Sequence, residues 1–427
     1  MLTASLFVVL FQNLVSAVIG QKSILPGTKS VAQNFTFCNY LNISVCPLTE
    51  QSSSFVINMY NGLGRPVSTY IRFPVYKKNL VVFGSKGQPL KSQIISVNEA
   101  AKKVRGSRGN APYELLFNAC APGLGFSTYF VKESKSSDKD VFVPFFVPEV
   151  RLKGGTQFIE NEKLRLDFSL ATGRLVKITR KDIKLSINVD QQFLWYNASA
   201  GNQDSGQTSG AYIFRPNSSN PYFMCKDNKP KVKVVKGPLV QEVRQSFGPV
   251  ASQVIRLYTG ESHAEVEYTV GPIPVNDHLG KEIITRFDTN IKSNALFYTD
   301  ANGREVKERK RDYRATWDLK VTEPVSGNYY PVNSRIFIKD TSAQLTIMTD
   351  RSHGGSSIHD GSLEVMLHRR LLHDDFLGVS EALNEPGLDG KGLVVTGKHM
   401  ILLTTPEEAP GYHRDLGEKM MLTPTIR

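Results

Sequence analysis

Short runs of alternating apolar and polar residues, separated by Gly- and Pro-rich turns, predict a mainly β protein: a small sandwich followed by a larger β region. Three observations carry this. Ala264, Val266, Tyr268 and Val270 alternate with Glu265, Glu267 and Thr269, the period of a strand with two unlike faces. The turns N-G-L-G at 61–64, G-S-K-G at 84–87 and A-T-G-R at 171–174 separate strand-like segments at hairpin distances. No long capped amphipathic helix and no βαβ rhythm is visible, which excludes a doubly wound α/β fold.

In chain order, residues 1–32 form an apolar leader and a polar linker. The stretch 4–18 is too short to span a bilayer. It reads as a secretory signal ending near Ser16, Ala17 and Gly20, or as a buried linker segment, or as a misjudged start of the chain. Residues 33–150 form the small domain, with strands at 54–60, 67–73 (stopped by Pro74), 80–83, 90–97, 113–119 and 126–132. A polar link at 132–139 precedes the larger domain, 151–427. Its strands fall at 157–161, 164–169, 175–179, 231–235, 240–247, 251–258, 264–270, 281–287 and 362–372. Several long strands in succession require a second sheet to cover them.

Composition is that of a globular protein, 40% hydrophobic and 22% charged. The net charge of +12 invites a nucleic-acid partner, yet the basic residues are dispersed, so none is expected. The clusters at 229–236 and 307–314 read as solvated strand faces or loops, with weak attraction to anionic surfaces or glycans. Sequons at Asn34, Asn42, Asn197 and Asn217 suit a chain of the secretory pathway, in a vacuole or lysosome or outside the cell. The Cys38 and Cys46 spacing permits a small disulfide loop and lacks a zinc pattern. Cys120 and Cys225 are buried thiols or a second bridge.

The run from Gly327 to Leu383 concentrates aromatic, Arg, His and Asp side chains. Asp350, His353, His359 and Asp360 have no metal-ligand spacing, so a polar network is preferred to a metal site. In 362–372, Leu363, Val365 and Leu367 are expected on one face, and Glu364, Met366, His368 and Arg370 on the other. Arg369 or Arg370 offers a rigid fork to vicinal hydroxyls or a carboxylate, held by Asp374 or Asp375, or else joins a buried ion-pair network. Tyr212, in T-S-G-A-Y-I-F-R-P (208–216), either presents its hydroxyl to a sugar or packs on the sheet. Glu364, Asp374 and Asp375 are carboxylates of the kind glycosidases pair, but nothing singles out an acid and a nucleophile. G-x-S-x-G, P-loop and dinucleotide fingerprints are absent, and H-R-D at 413–415 stands without other kinase elements.

The 327–383 run, with C-N-Y-L-N-I-S-V-C-P-L (38–48), Y-N-G-L-G-R-P (60–66) and T-S-G-A-Y-I-F-R-P, closely resembles the lysosomal-type (plant-like) α-mannosidases of glycoside hydrolase family 38, from about residue 33 onward. The resemblance covers the family's C-terminal β portion: a small β-sandwich followed by a large antiparallel supersandwich of the galactose-mutarotase type. It implies that the family's zinc and Asp nucleophile belong to an upstream α/β domain whose H-x-D motif has no counterpart here. No metal or other cofactor is then expected to be bound by this chain, and catalysis by it alone is not expected. The resemblance also implies a substrate rim of Tyr212 with Arg369 or Arg370, a Cys38–Cys46 disulfide around Asn42, and a large domain incomplete at its C-terminal end. The activity implied is hydrolysis of terminal α-linked mannose on N-glycans. The alternative is a carbohydrate-binding or assembly module that acts with a separate mannosidase catalytic domain.

Overall fold

The computed structural model describes residues 36–134, 144–151 and 157–427. The leader, the Asn34 sequon and most of the 132–139 link lie outside them. Of the described residues, Phe37 and Arg427 belong to one unit, in which the Arg427 guanidinium lies 4.3 Å from the Phe37 ring centroid. Cys38–Ile426 forms the other and contains both sandwiches.

The small sandwich uses β1 (Ser54–Asn61), β2 (Val67–Val75), β3 (Leu80–Phe83), β4 (Pro89–Leu90), β5 (Ser92–Ser96), β6 (Tyr113–Ala121), β7 (Gly125–Glu133) and β8 (Phe145–Val147). Its sheets are ordered β1–β7–β3–β4 and β2–β6–β5–β8, closing on Phe55, Ile57, Met59, Phe73 and Phe117. Pro74 does not end β2 as its sequence position suggests. β2 is an edge strand, where a missing outward N–H costs no ladder bond, and the Pro74 carbonyl is taken by Thr49 Oγ1 at 2.8 Å. A short helix, α1 (Pro47–Gln51), follows the Cys38–Cys46 disulfide; Cys120 and Cys225 are both free. Between β5 and β6 lies α2 (Glu99–Arg105), capped by Asn98 accepting from Ala101 N.

The large domain adds β9 (Val150–Arg151), β10 (Gln157–Glu160), β11 (Leu164–Phe168), β12 (Leu175–Arg180), β13 (Leu185–Asn197), β14 (Tyr222–Phe223) and β15 (Lys231–Lys236). It continues through β16 (Val240–Phe247), β17 (Ala251–Tyr258), β18 (Ala264–Val270), β19 (Lys281–Thr289), β20 (Leu296–Ala301), β21 (Glu305–Lys310) and β22 (Tyr330–Val332). The last strands are β23 (Arg335–Lys339), β24 (Gln344–Thr349), β25 (His353–Ser356), β26 (Ser362–Arg370) and β27 (Val395–Thr404). One sheet runs β10–β11–β12–β13–β19–β26–β25–β22, with β14 on the flank of β13; the other runs β21–β20–β23–β24–β27–β18–β17–β16–β15–β9. The main core lies between them, where Phe193, Ile283, Leu363 and Val365 meet Phe247, Val266, Ile347 and Leu403. This is the large two-sheet antiparallel architecture expected.

A helix, α3 (Ala409–Met421), packs His413, Leu416 and Met420 onto β24. The chain then returns to the small sandwich, where β28 (Thr425–Ile426) pairs with β1. None of the described helices is long and apolar enough to cross a membrane.

The two sandwiches meet across the outer faces of β2, β5 and β6 and of β16, β17 and β18. Tyr70 stacks on Tyr258 at 4.6 Å, and Gln93 Oε1 accepts from Leu239 N and Val240 N. Gly237 is required there, since a Cβ would fall 2.1 Å from Gln93 Nε2. Around them, Arg256 binds Glu242 (2.6 Å), Glu267 (2.9 Å) and Glu265 (3.2 Å), and Arg72 reaches across to Glu267 (2.9 Å). Burial alone would raise the Glu265 carboxyl, but Lys398, Arg256 and Arg72 outweigh it and pull it down to about 2.

Removing one member of such a buried network strands the others. Arg256→Met is expected to lower unfolding free energy by about 3–5 kcal/mol, measured by urea denaturation followed through tryptophan fluorescence. Because Glu265 is depressed in the folded state, its contribution is fully present above the ordinary carboxylate range and is lost as pH falls toward about 2. The wild-type urea midpoint should therefore fall between about pH 4.5 and 2, and less steeply in Arg256→Met.

Candidate functional site

Strands β13, β19 and β26 are neighbours in the first large sheet, and their ends at Asn197, Lys281 and Arg370 come together in register. Two loops spring from this edge: 198–221 after β13 and 371–394 after β26. Within the first, Ser199 N donates to Arg215 O, Ser209 N to Ser199 O and Gly210 N to Ile213 O, folding it back on itself.

Asp375 ties the second loop to the first. Its Oδ2 accepts from Tyr212 N (2.6 Å) and Ile213 N (2.9 Å), and its Oδ1 from Leu377 N (3.2 Å). Thr208 Oγ1 adds a bond to Asp374 O, and Gln207 Nε2 one to Asp375 O. Gly210 permits this approach, because a Cβ would lie 2.5 Å from that of Asp375. Desolvation alone would raise the Asp375 carboxyl, yet these backbone donors and Arg369 hold it below the usual range. Tyr212 is left displayed, 63% exposed, and does not pack on the sheet.

The two arginines separate. A β-bulge in β26 sets Ile284 opposite Met366 but Ile283 opposite His368, so Leu367 is an extra residue and the alternation of faces inverts after it. The expected grouping of Glu364, Met366, His368 and Arg370 on one face is thereby corrected: Glu364 and Met366 share their face with Arg369. Arg369 binds Glu282 Oε1 through Nε (3.1 Å) and Nη2 (2.8 Å), and Nη2 also donates to Ile213 O (2.7 Å), one residue from Tyr212. Arg370 instead ties Asn384 Oδ1, Ile273 O and Lys391 O together. Tyr212 and Arg369 are thus brought together, and Arg370 serves the neighbouring loop.

Glu282 and Ser209 complete this knot and were not singled out from sequence. Ser209 Oγ donates to Glu282 Oε1 at 2.7 Å, and burial pushes the Glu282 carboxyl up despite Arg369 and Ser209. The only sequence signal was an acid next to the apolar pair Ile283 and Ile284 in the strand K-E-I-I-T-R-F. Beside the knot lies a polar cleft of about 400 Å³, lined by Asn197, Ser199, Asn217, His278 and His373, with Arg215 paired to Glu323 at 2.7 Å. Of the described sequon asparagines, Asn42 and Asn217 are exposed and Asn197 is half-buried; Asn217 N donates to Asn197 O.

Of the other two carboxylates singled out, Asp374 has a buried Oδ1 with no hydrogen-bond partner, whereas Glu364 is occupied. Fully buried Glu364 binds Arg286, Tyr196 and Tyr329. Asp350, His353, His359 and Asp360 do not converge: Asp350 holds Arg351, His353 Nδ1 meets Met366 O, and Asp360 accepts from Ser293 and Ala295. Among the described residues no three His, Cys, Asp or Glu side chains cluster as metal ligands. His413 of the H-R-D triplet is an interior residue against Gln344 and Thr346. What the arrangement offers is an exposed phenol at Tyr212 on a loop whose backbone is tied to the Arg369 guanidinium, groups that can hydrogen-bond a polyol.

If Asp375 is what presents Tyr212, Asp375→Ala should speed hydrogen exchange at the Tyr212 and Ile213 amides by at least tenfold. Exchange in β13 and β19 should stay unchanged; mass spectrometry of peptic peptides reads both.

The profile of the glycosyl hydrolases family 38 C-terminal domain matches residues 159–377, and that of the lysosomal alpha-mannosidase-like central domain matches 90–131. Lysosomal alpha-mannosidase of Homo sapiens is 47% identical over 94% of this chain and 39% of its own length; alpha-mannosidase of Canavalia ensiformis is 38% identical over 91% and 41%. The chain thus spans about two-fifths of the length of these curated relatives. An alpha-mannosidase crystal structure from Enterococcus faecalis shares the fold, with TM-score 0.53 and 13% identity over 91% of this chain and 47% of that one. The chain belongs to glycosyl hydrolase family 38 and corresponds to the C-terminal β portion of its lysosomal-type α-mannosidases.

Proposed function

We propose that this chain supplies the β wall of an α-mannosidase active site, presenting Tyr212 and Arg369 to the terminal α-linked mannose of N-glycans, and that it does not cleave the glycosidic bond by itself. The observation that carries the reading is the lacing of Tyr212 by Asp375 beside Arg369. A retaining glycosidase needs two carboxylates about 5–5.5 Å apart across the bond. Two carboxylates of the Tyr212 network are committed elsewhere, Asp375 to backbone N–H groups and Glu282 to Arg369 and Ser209. The disulfide suits an oxidising compartment, which agrees with a secretory or lysosomal location.

The polar cleft beside the rim favours a second, compatible reading, in which the chain binds mannose-bearing glycans weakly in its own right or docks with a separate catalytic domain.

With an aryl α-mannoside and added zinc, the purified folded chain should release aryl alcohol at the background rate; robust turnover would overturn the reading. Methyl α-mannoside should perturb the NMR signals of the 207–213 loop. Tyr212→Phe and Arg369→Met should each weaken that binding about fivefold, the loss of roughly one hydrogen bond. Arg370→Met should leave it unchanged, and equal losses in all three would count against a specific rim.

A further inference from the structure

The excess positive charge is not spread evenly over this surface. Arg72, Arg215, Arg244, Arg256, Arg286 and Arg369 each meet a carboxylate. On the β20–β21 hairpin and the loop after it, Arg309, Arg311 and Arg314 are held by neutral oxygens instead. Arg309 Nε donates to Thr299 Oγ1 (3.1 Å) and Arg311 Nη1 to Ser357 O (3.1 Å). Arg314 donates to Tyr313 O (2.8 Å) and Gly327 O (2.6 Å). Arg309 and Arg314 also share one aromatic ring, at 4.3 and 5.8 Å from the Tyr330 centroid.

The acids within the segment are mostly engaged. Glu305 pairs with Lys307 (2.7 Å), Glu308 accepts from Tyr298 (2.9 Å), and Asp312 accepts from Asn328 (2.7 Å). Glu308 and Asp312, met by neutral donors, keep their charge and with exposed Asp318 offset part of the positive excess, which Arg309, Lys310, Arg311 and Arg314 still leave on the segment. A guanidinium anchored by neutral acceptors keeps its full charge while its orientation is already fixed. Of five N–H donors, each of the three retains several for a ligand.

Aromatic surface accompanies the charge. The Lys310 ammonium lies 4.7 Å over the Tyr313 ring, and Tyr313 and Trp317 are 50% and 58% exposed. β21 is the edge strand of its sheet and exposed along nearly its whole length, an extended track of about 20 Å.

We propose that this sheet edge, with side chains from both faces of β21, is a binding surface for a linear polyanionic polysaccharide. Arg309, Arg311 and Arg314 pair with its sulfate or carboxylate groups, and Tyr313 and Trp317 lie against its sugar rings. The polyanion is a glycan and not a nucleic acid because the Cys38–Cys46 disulfide belongs to oxidising compartments, where sulfated and uronate glycans are the available polyanions. The surface shares no residue with the Tyr212 and Arg369 rim, so it stands or falls apart from the function proposed above.

The test is calorimetric titration and column retention of the full chain with heparin. Its partner is a charge-matched control that neutralises the exposed Lys226, Lys229 and Lys231. The triple change Arg309→Gln, Arg311→Gln, Arg314→Gln should weaken binding at least tenfold and reduce the slope of log affinity against log salt by about two to three. The lysine control should change affinity less than about threefold. Because Arg311 and Arg314 also anchor loops, a second variant, Lys310→Gln with Trp317→Ala, alters only exposed side chains and should weaken binding about threefold or more with an unchanged melting temperature. Equal losses in the arginine and lysine variants, unchanged binding in both site variants, or tighter binding to single-stranded RNA than to heparin would each overturn the proposal.

Discussion

A sheet covered on both faces gives its polar side chains no access to solvent, and this constraint governs the strands β13, β19 and β26. Toward the second large sheet they bury Phe193, Ile283, Leu363 and Val365. Toward the other side they bury an apolar strip of Leu194, Ile284 and Met366, with Glu282 and Glu364 fully enclosed at its two ends. Each carboxylate therefore has to find its partners inside the protein. Glu364 takes Arg286, Tyr196 and Tyr329; Glu282 takes Arg369 and Ser209. Apolar packing along the strip tolerates some exchange of shape, but a charged knot accepts one arrangement, because a stranded buried charge costs several kcal/mol.

The knots convert sheet order into loop order. Tyr329 belongs to the segment entering β22, so Glu364 fixes that entry; Ser209 and Ile213 belong to the 198–221 loop, so Glu282 and Arg369 fix its fold. The bulge at Leu367 makes the second knot possible. Without the extra residue, Arg369 would point into the main core and Arg370 toward Ser209, and the two loops would be held by the wrong side chains.

These relations explain which parts of the architecture could be read from the chain. Strands with one clean period, such as Ala264–Val270, were legible, as was the need for a covering sheet. β13 escaped notice because L-S-I-N-V-D alternates and then Q-Q-F-L-W-Y does not, the mark of a strand buried on both faces. α3 was hidden by Pro410, Gly411 and Gly417, although Ala409, His413, Leu416 and Met420 recur at helical spacing on its buried face. β2 passes through Pro74 because edge position, a property of the whole sheet, decides whether a proline is tolerated. The parity of Arg369 and Arg370 depended on a single inserted residue, which no local propensity announces. Motif resemblance narrowed the proposed rim to Tyr212 and one of two arginines; only register separated the environments of the two arginines.

The rim also differs in kind from a catalytic centre. Tyr212 is held by backbone donors on a carboxylate that stays ionised, and Arg369 by a buried carboxylate and a carbonyl, so neither side chain's support has to be ordered when a ligand arrives. Preorganisation of this sort raises affinity for whatever polyol fits. It accelerates bond cleavage only where the same contacts strengthen as charge develops at the reacting carbon. A phenol and a guanidinium on the periphery can strengthen in that way only around a nucleophile and an acid that define where the charge appears. Under the function proposed above, such a β wall would set the position and orientation of the sugar, with its contribution to rate conditional on the groups that perform the displacement.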